Sequence, residues 1–152
     1  MKCKITNKKI NPFMNFGKMP IANGFLDKKD FKNEYYFNME VGFSEDLSLF
    51  QLNDHPHPEK MFNEKYPYKS SESYTMRNSF KKFSHKIIKK FKPNLVLEIG
   101  SNDGAFICNF DKKKVIGVEP CKNLARITRL KGYKTFSEYW NINLAKKITK
   151  KK

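Results

Sequence analysis

The stretch Leu95-Val96-Leu97-Glu98-Ile99, closed by Gly100, constrains the fold of this chain more than any other. A near-continuous apolar run ended by glycine predicts a strand buried on both faces of a parallel sheet. A short helical pattern follows from Gly104 to Phe110, and then a second buried run, Val115-Ile116-Gly117-Val118. Leu124, Ala125 and Thr128 make the inner stripe of a further helix that Gly132 stops. Leu144, Ala145 and Ile148 indicate one more helix. Strand, helix, strand, helix is the opening of a doubly wound, Rossmann-like α/β sheet.

Upstream, Met76, Phe80, Phe83, Ile87 and Phe91 recur at intervals of three and four, which predicts an amphipathic helix from Thr75 to Phe91 with Pro93 marking its end. Its other face carries Lys81, Lys82, Lys86, Lys89 and Lys90 and reads as solvated rather than as a membrane or RNA contact. From Met1 to about Tyr74, short apolar pieces such as Pro20-Ile21-Ala22 and Leu47-Ser48-Leu49-Phe50 alternate with turn residues. Short strands and loops are expected there. Asn53-Asp54-His55-Pro56-His57-Pro58 is a connector, because each proline biases its predecessor away from helix. The expected organisation is an irregular, β-containing domain over 1–74, a connecting helix over 75–93 and a partial Rossmann-like domain over 94–152.

Composition excludes several classes. The 152 residues carry 31 Lys+Arg against 15 Asp+Glu, a net charge of +16, yet 14% are aromatic, too many for a disordered polyelectrolyte. No apolar run approaches the roughly 20 residues of a membrane-crossing helix. The start Met1-Lys2-Cys3-Lys4 lacks the apolar stretch of a secretory signal, so a cytoplasmic location is expected. The charge permits loose attraction to polyanions. However, arginine, the residue suited to bidentate phosphate and base contacts, occurs only as Arg77, Arg126 and Arg129, while lysine is dispersed throughout. No specific nucleic-acid role is expected, a basic RNA-associated protein is the least favoured reading, and Lys150-Lys151-Lys152 reads as a solvated tail. Three widely spaced cysteines give no disulfide framework; Cys108 and Cys121 read as packing residues.

The chemistry concentrates in Glu98-Ile99-Gly100-Ser101-Asn102-Asp103-Gly104, directly after the first buried strand, and in Glu119 at the end of the second. Gly100 permits a backbone conformation or a ligand approach that a Cβ would obstruct. In open α/β sheets ligands lie beyond the carboxyl ends of the strands, where both segments emerge. Glu119 follows at close to the 20-residue offset at which an acid reaches the ribose hydroxyls of a bound nucleoside. A dinucleotide fingerprint would need a glycine where Asn102 stands, so NAD fits poorly. Carboxylates at Glu98, Asp103 and Glu119 better suit a ligand without phosphates that bears an ammonium and a sulfonium, which describes S-adenosylmethionine.

With Pro20-Ile21-Ala22-Asn23-Gly24-Phe25-Leu26, Gln51-Leu52, Tyr66-Pro67-Tyr68-Lys69-Ser70-Ser71-Glu72-Ser73 and Gly117-Val118-Glu119-Pro120-Cys121-Lys122-Asn123, this turn forms an ordered series of motifs. The series resembles the S-adenosylmethionine-dependent C-methyltransferases of nucleotide-linked deoxysugars, which carry a small zinc-binding domain at the N-terminus. The resemblance implies that Gly100, Ser101, Asn102, Asp103 and Gly104 line the cofactor, that Glu119 holds the ribose, and that Pro120 and Asn123 flank the adenosine. It also implies that Tyr66 to Ser73 face a nucleotide-sugar substrate, with Tyr68 or Tyr66 handling a proton. In the family reaction a base removes a proton beside a keto group and the carbanion takes the methyl group.

The sequence departs from that family in two ways. The family's zinc is held by two Cys-x-x-Cys pairs; here Cys3 remains, Thr6 stands at its partner position, and Ser44 and Leu47 replace the second pair. No structural zinc is expected, and His55 and His57 beside prolines do not make a ligand set. Only two or three of about seven sheet strands, and no convincing general base, are found before residue 152. The expectation is therefore a truncated methyltransferase chain holding the cofactor half, with a companion chain completing the fold. The competing reading is a noncatalytic nucleoside-binding module that works through a partner.

Overall fold

Apolar pieces and turn residues in the first part of the chain pair into a three-stranded antiparallel sheet, β1 (Pro12–Pro20), β2 (Tyr36–Ser44) and β3 (Leu49–Leu52), in that order. Register shifts between Pro12 and Met14 and between Asn15 and Lys18 interrupt the β1–β2 ladder, which removes the strict alternation that a strand prediction relies on. The β2–β3 hairpin turns through a 3-10 segment, Glu45–Leu47, and Ser48 in the left-handed region at φ 47°. The short helix α1 (Pro58–Met61) follows. The computed structural model describes residues 1–150; Lys151 and Lys152 of the lysine tail lie outside the described residues. These residues form two compact units that divide between Met61 and Phe62, so residues 62–74 and the long helix belong with the second unit.

The second unit starts with a 3-10 turn at Ser70–Glu72 and helix α2 (Tyr74–Phe91), capped by the Ser73 hydroxyl accepting from the Met76 amide. Strands β4 (Val96–Ile99), β5 (Val115–Val118) and β6 (Thr135–Phe136) form a parallel sheet in the order β4-β5-β6. Helices α3 (Lys122–Leu130) and α4 (Ile142–Thr149) alternate with the later strands. One sheet face is packed by Ile107, Phe110 and Tyr133 against Val115, with Ile87 of α2 alongside. The other is packed by Leu144 and Ile148 of α4 against Ile116 and Val118. The second unit is thus a mixed α/β, partial Rossmann-like fold.

Two expectations are corrected. Gly104 to Phe110 is not an α-helix: it holds one 3-10 turn, Ile107–Asn109, and the Asn109 side chain donates to the carbonyls of Ala105 and Phe106, competing with the helical ladder. Nor is the first apolar strand buried on both faces. Leu97 and Ile99 are 38% and 53% exposed, because β4 lies at the sheet edge and the apolar cluster of α4 takes in Leu95 but neither of them. No helix among the described residues is long and apolar enough to cross a membrane.

Candidate functional site

Beyond β4 the chain reverses through three residues of positive φ: Gly100 at 74°, Asn102 at 50° and Gly104 at 83°. The turn is fastened to the neighbouring strand by the Gly100 and Ser101 amides, which donate to the Val118 carbonyl at 2.8 and 3.1 Å. Glu119, just past β5 and 5% exposed, then inserts its carboxylate. Oε2 accepts from the Asn102 amide at 2.8 Å and Oε1 from the Cys121 amide at 2.8 Å. The sequence separated these groups by many positions; the parallel β4–β5 register brings them into contact.

The segment carrying Tyr66 and Tyr68 lies against the same turn, held mainly by backbone. The Asn123 amide group donates to the Tyr66 carbonyl at 2.8 Å, and the Asn102 amide group to the Tyr68 carbonyl at 3.2 Å. Asn102 Oδ1 accepts from the Ser70 amide at 2.9 Å. Asp103, 1% exposed, accepts at Oδ1 from the Ser71 amide at 3.2 Å and at Oδ2 from the Ser71 hydroxyl. Tyr66, Tyr68, Asn102, Asp103, Glu119 and Asn123 therefore lie close together at the carboxyl ends of the strands. Pro120 is half-buried beside Glu119.

The sequence reading missed Ser137, just past β6, whose Oγ is buried without a hydrogen-bond partner. It stands at the same end of the sheet, but a two-residue strand containing a threonine left no apolar run to announce it. Glu98 Oε2, Ser101 Oγ and Asn123 Oδ1 are likewise buried and unpartnered. Buried polar atoms are normally satisfied, so orphans among predicted site residues mark places where a polar ligand can supply the missing partner. At Gly100 a Cβ would meet nothing within 4 Å, so open space faces the turn. A cavity of about 240 Å³, lined by Ile88, Val96, Phe110 and Lys114 among others, lies instead at the amino ends of β4 and β5.

Burial pushes Glu98 up to about 8 from an ordinary 4.5, with Glu119 adding to the rise. The folded chain therefore binds more protons than the unfolded chain between about pH 4.5 and 8, and stability falls as pH rises through that window. Glu98→Gln should flatten the slope and raise stability at pH 8 by roughly 1–3 kcal/mol, read by denaturant melts at pH 5 and pH 8. Burial, together with Glu119, holds the Cys121 thiol up to about 12, which fits packing rather than nucleophilic attack.

The first unit does not offer a metal centre. Cys3 is buried, Ser44 is 2% exposed and Leu47 is 39% exposed. Among the described residues no group of three or more His, Cys, Asp or Glu could hold a metal ion. Zinc sites of this kind need four donors, so these residues do not fit one.

Comparison with known proteins agrees with the motifs. A family profile described as "Putative zinc binding domain" matches residues 3–62. The C-methyltransferase NovU of Streptomyces niveus is 26% identical over 141 residues, covering 89% of this chain and 33% of that protein. The chain thus spans about a third of the length of the curated relative it matches. The profile match in the first unit, and the similarity over most of the chain to a C-methyltransferase, agree with the resemblance that the motifs carry.

Proposed function

We propose that this chain holds S-adenosylmethionine in the crevice beyond β4 and β5, as the cofactor-binding part of a C-methyltransferase acting on a nucleotide-linked deoxysugar. The observation that carries the reading is the Glu119 carboxylate docked on the glycine turn, with open space in front of Gly100. Each carboxylate oxygen has two acceptor sites, so the backbone amides leave Glu119 capacity for the ribose hydroxyls. Glu98, with its orphan oxygen, suits the ammonium of the donor, which would draw its carboxyl into the charged form. Gly100 to Gly104 would line the donor, and Asn123, with its unpartnered Oδ1, and Pro120 would flank the adenosine.

When bound, the sulfonium supplies an electrophilic methyl group. The chain's own contribution is to orient that group and exclude water around it. The anchored Tyr66–Ser73 segment would face the sugar, with the Tyr68 or Tyr66 hydroxyl holding or moving a proton. The exposed Leu97 and Ile99 on the edge strand support a companion polypeptide that adds to the sheet beside β4. The same observation favours a second reading, a nucleoside-binding module that works only with its partner.

Equilibrium dialysis with methyl-labelled S-adenosylmethionine tests the proposal. One saturable site is expected, displaced by the demethylated product and untouched by NAD. Retention that does not saturate, or that NAD displaces equally, contradicts it.

A further inference from the structure

We infer that the first unit is metal-independent, its Cys3 turn being held by its own backbone hydrogen bonds and by the Gln51 side chain instead of by zinc. Cys3, at 1% exposure, is one of the few buried side chains of that unit, so its sulfur is a packing point. The turn closes through the Cys3 amide donating to Lys8 O at 2.8 Å and the Asn7 amide donating to Cys3 O at 2.9 Å. Thr6, where a second zinc thiolate would stand, donates its amide to Cys3 Sγ at 3.5 Å. From β3 the Gln51 side chain reaches the same turn, where its Oε1 accepts from the Lys4 amide at 2.8 Å.

This arrangement replaces a cation with donors. The turn closes on these bonds without a metal, whereas zinc at Cys3 would need three more ligands that Thr6, Ser44 and Leu47 do not supply. The half-buried Gln51 thus ties the N-terminal turn to the sheet across 47 residues of sequence.

The test uses the full chain, purified without a metal-binding tag from zinc-supplemented cells. Elemental analysis should find well under a tenth of a zinc per chain, and EDTA or added zinc should leave Tm unchanged. Gln51→Leu, which keeps the bulk and removes the amide, should lower Tm by about 2–4 °C equally with and without EDTA. Stoichiometric zinc with a Tm that EDTA lowers overturns the inference, as does a Gln51→Leu protein that melts like the wild type.

Discussion

Glu119→Ala is expected to weaken S-adenosylmethionine binding about 100-fold or more. The substitution removes both proposed ribose contacts and the anchor of the turn at once. A charge-assisted hydrogen bond contributes about 1.5–3 kcal/mol, so losing one or two accounts for that factor. The alanine also leaves the Asn102 and Cys121 amides without their acceptor inside the fold, at a cost of about 1–3 kcal/mol each. Glu119→Gln separates the two effects, because it keeps one oxygen acceptor and the side-chain volume. It should melt close to the wild type yet bind at least tenfold more weakly in calorimetry; wild-type affinity in Glu119→Gln would remove the ribose assignment.

Gly104→Ala is the second large effect, and it acts on stability. The residue sits at φ 83°, and a Cβ there would lie 2.9 Å from Thr128 Cγ2 and Oγ1 and 3.1 Å from Cys108 Sγ. Left-handed strain and overpacking each cost about 1–3 kcal/mol, so the pair removes a large share of a margin of about 5–15 kcal/mol. A Tm fall of about 10 °C is expected by calorimetric scanning. Gly100→Ala is the contrast. Its φ of 74° carries strain, but its Cβ would meet nothing within 4 Å. A smaller drop in Tm with a clear loss of donor binding is expected, because the new methyl group fills the space kept for the ligand. Equal Tm losses for the two variants would show that the glycines differ in neither role.

These contrasts indicate what the sequence could carry. Val115 to Val118 is buried along its length and was legible as a continuous apolar run. Helix α2 announced itself through the spacing of Met76, Phe80, Phe83 and Ile87, and the buried Leu124, Ala125 and Thr128 marked the inner face of α3. Leu97 and Ile99 have the same apolar character, yet exposure depends on what lies beside a strand, which their residue types do not encode. The residues from Gly104 to Phe110 misled because Phe106, Ile107 and Phe110 have helical spacing but pack from an irregular turn. In the first unit, Phe13, Met14, Phe16 and Phe50 are exposed, so burial offered no periodic signal for its strands.

The candidate site was legible to a similar extent. Gly100, Gly104 and Glu119 stood out because a strand-to-helix turn and an acid at the next strand's tip follow from parallel-sheet geometry. The cross-connections did not. Ser71 to Asp103, Tyr68 to Asn102 and Tyr66 to Asn123 join segments far apart in sequence, and in each case an Asp or Asn side chain meets a backbone group that every residue possesses. Ser137 went unseen for the reason that β6 did: it depends on a strand too short to leave a pattern.

The most direct measurement is an amide-resolved NMR titration of the intact chain with S-adenosylhomocysteine, the stable demethylated form of the donor. The resonances of Gly100, Ser101, Asn102, Glu119 and Asn123 should shift together and saturate, while those of the first sheet stay still. Shifts confined to other parts of the molecule, or none at saturating ligand, would contradict an adenosyl site at the glycine turn.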